Sequence, residues 1–427
     1  MINHLNLKYK MESIMIILLP LFMIISRFML EFCLLIISIS FITITIKNKN
    51  YKIFNNYFVI FFLSFYFLLL LSFSFSLEKS NILSILVYFR FGLYVMAVYF
   101  FLIEEKNTIK YFLNSIGIII LLLFFDSLFQ YFFGQNLIGL KVYENHRITS
   151  FFGEEQVLGG YIVRVFPFLL LLKNITNESS KKTNYLIILA IFMSPVLIFL
   201  SGERVAIFLF FLMICYYLIF FARSKKFKFI YFYVLFTIIS IGGFLYSSNT
   251  YFDRYINQTY QSFFNKSYGQ NIYFLPDKYQ EGKFYFLSAQ HQNFIYTGLN
   301  ILKNNKFLGT GPKSYRYVCD NKEYAINDLS CNTHPHNYYL QALIETGLSG
   351  FFFLCLTYLY ILYRSLINFI KLLKNEYFNL SETIILGFYF TQLWPIMQHG
   401  SLFNNWNSII LFLPISFLLF FQKKLIN

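Results

Sequence analysis

Charge is what this sequence has least of. Of its 427 residues only 13% are Asp, Glu, Lys or Arg, about half the roughly 25% of an ordinary soluble domain. Hydrophobic residues make up 57% and aromatic residues 22%. That balance argues against a cytosolic enzyme, a disordered chain and a nucleic-acid-binding domain. Cysteine and histidine are also sparse, at five and six residues. No HExxH and no Cys/His framework occurs, and His334 and His336 have no third ligand in the pattern, so no metal and no cofactor is expected. There is no internal repeat and no stretch that reads as a separate soluble domain. The charge that remains leans positive, by +15. It sits between long apolar runs, which suits the cytoplasmic loops of an integral membrane protein better than a nucleic-acid surface.

A spanning helix needs about 20 mostly apolar residues. Such runs occupy 13–27, 29–46, 54–76, 82–103, 110–134, 157–173, 184–200, 204–222, 228–247, 347–368, 380–398 and 406–422. The expected fold is therefore all-α: one polytopic membrane domain over 1–427 with about twelve transmembrane helices. The first run lacks a small-residue cleavage site, so it does not read as a cleaved signal. Alternate loops carry Lys47, Lys49 and Lys52, then Lys106 and Lys110, Lys181 and Lys182, Arg223, Lys225, Lys226 and Lys228, and Lys371 and Lys374, with Lys423 and Lys424 at the end. The positive-inside rule places these loops and both termini in the cytoplasm. Two outer segments are long, near 135–156 and 248–335. The second is rich in Tyr, Asn, Gln and Lys and reads as a periplasmic loop, or cap, inserted between spans and partly helical near 288–304. It holds Cys319 and Cys331, which are either a disulfide or two free thiols. Cys33, Cys215 and Cys355 fall inside spans as packing residues.

Charges within a bilayer are costly and each needs a reason. Arg90 and Asp126 read as pairing groups that hold helices together. Arg164 and Arg204 read as functional, because both face the outer side. Five of the six histidines, His146, His291, His334, His336 and His399, fall on that side too. It also gathers Arg147, Glu154 and Glu155. Arginine forks suit phosphate oxygens, and a histidine or carboxylate suits proton transfer from a hydroxyl. The pattern points to a membrane-face site for an anionic, phosphorylated substrate.

One stretch goes further. His336-Asn337, nine residues, and Gly347-Leu348-Ser349-Gly350 form HN-x9-GxxG. This resembles the signature of the bacterial O-antigen ligase and O-antigen polymerase superfamily. Asn337 is expected near the start of a short helix at the membrane face, with Gly347 and Gly350 as structural residues where the next span begins. Ser201-Gly202-Glu203-Arg204, the segment from Arg147 to Glu155 followed by Gly159, Gly160, Arg164 and Pro167, the turn Leu308-Gly309-Thr310-Gly311-Pro312, and Pro395 with Ser401–Asn405 resemble companion segments in the same order. Family members often carry an arginine before the Gly-rich turn. Here Ser288-Ala289-Gln290-His291-Gln292 has none, and His291 or Arg316 is the expected substitute.

The resemblance implies a metal-independent glycosyltransferase with a GT-C-like fold in the bacterial inner membrane. Its donor would be a glycan on undecaprenyl diphosphate. Its acceptor would be a second lipid-linked glycan in a polymerase, or lipid A–core in a ligase, with a chain-length regulator as a further partner. Arg204, with Arg147 or Arg164, would hold the diphosphate. His336 would orient or deprotonate the acceptor hydroxyl, with Glu155 as the alternative base. A lipid-linked sugar flippase and a protein O-oligosaccharyltransferase are the competing readings.

Overall fold

The computed structural model describes residues 8–76, 81–142, 147–175, 181–221, 230–264, 285, 288–327 and 330–423. Among these, every regular element is helical, and Gln135 and Lys141 form one isolated bridge. The longer helices are α1 (Lys10–Ile25), α2 (Arg27–Lys47), α3 (Tyr57–Ser74), α4 (Ile82–Glu104, interrupted by a 3-10 turn at Val87–Phe89), α5 (Asn107–Phe133), α6 (Leu158–Ile175), α7 (Lys181–Leu200), α8 (Arg204–Phe221), α9 (Ile230–Ser247), α10 (Ala289–Asn304), α11 (Tyr338–Leu373), α12 (Leu380–Gln392) and α13 (Asn405–Lys423). Each of the twelve apolar runs lies mostly on a helix among the described residues, because a long apolar run buries its backbone polar groups most cheaply in its own i→i−4 bonds.

Among the described residues, eight helices are long and apolar enough to cross a membrane: α2, α3, α4, α5, α6, α8, α11 and α13. The chain is a membrane-integral, all-α protein. The other four of the twelve apolar runs also form helices, α1, α7, α9 and α12. α1 has 16 residues and α12 has 13. α7 has 20 residues and α9 has 18. At 1.5 Å per residue, α12 reaches roughly 20 Å, less than the ~30 Å hydrocarbon core. It is surrounded by α6, α8, α11 and α13 and buried along nearly its whole length. Its short reach leaves 393–404 as irregular backbone at the end of the bundle, where other parts of the protein cover it.

Two features position the site. The first is a break in α11. Gly347 has φ +66° and ψ −164°, so the helix is really two pieces, 338–346 and 348–373. The turn 306–311 crosses the break. Thr310 and Gly311 donate to the freed carbonyls of Ile344 and Glu345, at 3.0 and 2.9 Å, while Leu348 and Ser349 donate to Lys306 and Phe307, at 2.8 and 3.3 Å. Ser72 and Ser76 of α3 and its end clamp the turn from outside, on Leu308 O and Thr310 O, at 2.6 and 2.7 Å. The second feature is α10, which packs on α11 through a small apolar cluster of Phe294, Ile301, Tyr315, Val318, Cys319, Tyr324 and Ile344. Cys319 and Cys331 are joined as a disulfide. The helix expected near 288–304 is α10, capped by Ser288, whose hydroxyl accepts from His291 N.

The buried charges pair differently from the expectation. Arg90 and Asp126 do not meet. Arg90 donates to Glu31, at 3.3 Å, joining α4 to α2. Asp126 accepts from Leu137 N (2.9 Å), Asn136 Nδ2 (3.3 Å) and Ser150 Oγ (2.5 Å). It therefore anchors the loop that follows α5, and Gly134, the left-handed C-cap of α5, turns the chain back to reach it.

Candidate functional site

His336 stands just before α11 with φ +55°. A side-chain-bearing residue there costs about 1–2 kcal/mol, so neighbours must hold it. Its carbonyl accepts from His399 N, at 2.7 Å. The next residue, Asn337, caps α11 by accepting from Leu340 N (2.9 Å) and donates to Pro395 O and Met397 O (2.8 and 2.9 Å). One asparagine thus starts the helix and ties it to the irregular segment after α12. Cap and tie together fix where the His336 ring points.

That ring lies in a cluster of imidazoles. His334 is 4.1 Å away between centroids, His291 is 6.0 Å away, and Phe294 stacks on it at 5.7 Å. Asn332 Nδ2 is 3.1 Å from His336 Nε2. Burial holds His336 below the usual imidazole range. Burial first, then the charges of His336 and Arg204, brings His291 down to about 4. His334 is also brought to about 4, chiefly by burial. His399 stacks on Tyr338 at 4.3 Å, donates to Trp394 O, and is pushed to about 4 by burial. All four rings are neutral at pH 7.

Beside them is a group of arginines around one carboxylate. Glu203 accepts from Gly159 N and Gly160 N, at 2.6 and 3.1 Å. These are unpaired donors of the first turn of α6. The two glycines leave the carboxylate room, since a Cβ on either would press within 3.3 Å of it. Burial raises Glu203 to about 7, opposed by Arg147, those two amides and Arg164. Arg147 binds Ser201 O (3.4 Å) and Gln156 Oε1. It lies over Gly202, whose φ of +67° makes the tight turn before α8. Arg164 sits over the Trp406 ring, 5.5 Å from its centroid. Arg204 donates to Ser262 Oγ and Thr259 Oγ1, at 3.0 and 3.4 Å, and is within electrostatic reach of Arg254 and Arg147. Arg254 donates to Gly202 O, at 3.2 Å. Three guanidiniums, Arg147, Arg164 and Arg254, lie within electrostatic reach of this one carboxylate, and with Arg204 beside them the group keeps an excess of positive charge. His291, in reach of Arg204 and 6.0 Å from His336, bridges the two halves.

The structure thus brings together Arg147, Arg164, Arg204, His291, His336 and Asn337. Glu155 is elsewhere: it is half-exposed and paired with Arg27 at the start of α2. Arg316 is exposed and acts on His334 by charge alone. His146 lies outside the described residues. Sequence reasoning missed Glu203 as the hub, Arg254, and Asn332. Arg254 had a signal, as an arginine in a stretch otherwise rich in Tyr and Asn. The thiols of Cys319 and Cys331, which lie with Asp320, are joined to each other and so are not free to ligate.

An apolar cavity of about 110 Å³ opens between α3, α4, α11, α12 and α13. Phe65, Tyr88, Phe353 and Phe412 line it, and Leu393 and Leu402 of the irregular segment roof it. It therefore begins under the backbone that Asn337 holds and runs alongside α11. Residues 188–355 match a family model described as O-Antigen ligase. The matched residues include Arg204, Arg254, His291, Asn332, His336, Asn337 and Gly347, and leave out Arg147, Glu155 and Arg164. No curated protein matches the chain.

Proposed function

The chain is a member of the O-antigen ligase/polymerase family by its match over residues 188–355, and from that premise we propose that it transfers a glycan from a polyprenyl diphosphate to an acceptor hydroxyl at the periplasmic face of the inner membrane. The observation that carries this reading is the meeting of the arginine group with the His336 cluster through His291, at one end of an apolar bundle. In the reaction the acceptor oxygen bonds to the anomeric carbon. The anomeric bond to the diphosphate breaks, and its electron pair leaves on the diphosphate. Arg204, Arg147 and Arg254 are fixed donors for that developing charge. Glu203 and the α6 amides hold the group in register, and His336 orients the reacting oxygen. The apolar cavity takes part of the polyprenyl chain. Fixed guanidinium charge thereby performs the stabilisation that a divalent ion supplies in other glycosyltransferases.

The gene is deleted and complemented with wild type, His336→Ala or Arg204→Ala, and the lipopolysaccharide is run on a gel. Both variants are expected to insert in the membrane and to lose the glycan ladder. A core carrying one repeat unit marks a polymerase. Bare core, with chains held on the carrier lipid, marks a ligase. Full ladders from both variants would sink the assignment.

A further inference from the structure

The hydrogen bonds around His336 decide which ring nitrogen carries its proton. Nε2 lies 3.1 Å from the amide nitrogen of Asn332. The oxygen of that amide is already committed, accepting from Thr333 N at 2.6 Å. The amide therefore turns its NH2 to the ring, and His336 Nε2 accepts. A neutral imidazole that accepts at Nε2 is protonated at Nδ1. Among the described residues, no hydrogen bond is made to Nδ1. Asn332 is itself well held. It follows Cys331 of the disulfide, and two residues earlier Ser330 O accepts from Tyr315 Oη, at 2.7 Å. His334 and Phe294 pack against the ring.

We propose that Asn332 is a positioning residue which holds His336 in its Nδ1–H form, so that His336 serves the transfer as a hydrogen-bond donor and not as the base that removes the acceptor's proton. The inference rests on the glycosyltransferase reading above. His291 follows the same logic. Its Nδ1 is occupied by Ser288 Oγ (2.6 Å) and Gln398 Nε2 (3.3 Å), which leaves Nε2–H to donate. The His336 N–H then orients the acceptor oxygen, while the His291 N–H, in reach of Arg204, joins the arginines in a face of donors matched to the oxygens of a departing diphosphate. The acceptor's hydroxyl proton passes to water. The titratable neighbours of the His336 ring are His334 and His291, with Arg316 beyond the first and Arg204 beyond the second. Burial keeps the ring neutral, as a donor of this kind requires.

The test uses the full chain in lipid nanodiscs, labelled with ring-15N histidine, with the His336 signals assigned by their loss in His336→Gln. Wild type is expected to show the Nδ1–H tautomer. Asn332→Asp supplies a carboxylate that accepts from Nε2–H, so it should switch the tautomer and lower transfer at least about tenfold. His336→Asn places an amide N–H near the former Nδ1 and should keep part of the activity. His336→Gln, which reaches toward the Nε2 position, should keep less than about a tenth of what the Asn variant retains. An Nε2–H tautomer in wild type overturns the inference, as does undiminished transfer by Asn332→Asp or a Gln variant faster than the Asn variant. The spectrum reads the tautomer whatever the enzyme does. Wild type that transfers nothing from any polyprenyl diphosphate donor instead overturns the functional reading on which the donor role depends.

Discussion

A Cβ atom on Gly309 would stand 2.6 Å from the backbone nitrogen of Gly347. The two glycines cross backbone on backbone, with φ of +69° and +66°. This contact breaks α11 and seats the Gly-rich turn in the gap. A methyl group at 347 meets the backbone of Phe307 and Leu308, which has no side-chain freedom with which to yield. The φ, ψ pair is also one that only glycine adopts without strain. Gly347→Ala is expected to destabilise the protein by about 3 kcal/mol or more. Thermal melting of the detergent-solubilised variant checks this, and an unchanged midpoint refutes it.

The disulfide closes a loop with a sequence separation of 12, and that loop ends next to Asn332. A cross-link of this length is worth about 3 kcal/mol in the chain-entropy account. Replacing Cys319 and Cys331 with serine should expose the segment between them to protease under conditions where wild type resists. Reductant should do the same to wild type and nothing further to the double variant.

Glu203 is raised to about 7. Its unfolded value is near 4.3, so the folded state holds the proton more tightly. Stability from this group is therefore present below the unfolded value and is lost as pH rises to about 7. Glu203→Gln does not titrate. Its stability relative to wild type should rise by about 2 kcal/mol between about pH 4.5 and about pH 7, after allowance for the solvent that reaches the group. Glycan transfer should nonetheless fall, because the arginines lose their shared carboxylate. Melting curves across pH test the slope, and a flat difference contradicts it.

His291, His334 and His399 have the opposite sign. Each is held near 4, below the ordinary imidazole value of about 6.5. Unfolded chains bind more protons in that interval, so stability is present above about pH 6.5 and is lost as pH falls toward about 4. Wild type should melt progressively lower over that range. His399→Phe, which keeps the stacking with Tyr338 but does not titrate, should show a shallower fall. An equally steep fall would remove His399 from the account.

Much of the architecture was legible because its causes are local. The apolar runs predicted every long membrane helix. The spacing from Asn337 to Gly347 predicted a short helix before a span, and the break at Gly347 is where that boundary falls. Run length overshot the helix at α12. α12 stops after 13 residues, and its apolar run continues into irregular backbone that the rest of the bundle covers. Apolar composition records burial, and burial inside protein looks the same in sequence as burial in lipid.

The site was legible in its residue types and not in its pairings. Arginine and histidine in an apolar chain announced themselves. Nothing in the spacing said that Glu155 meets Arg27, 128 residues away, or that Arg90 meets Glu31. Nor could it say that Glu203 caps amides 44 and 43 residues upstream. The sequence by itself determined that this is a helical membrane protein with positive and ring-bearing groups at one end, since hydropathy acts over one or two turns of chain. Only the tertiary structure decided which carboxylate the arginines share and which nitrogen of His336 is occupied. In a low-dielectric bundle a polar group is satisfied by whichever partner helix packing brings within 3 Å or so, and packing is a property of the whole fold.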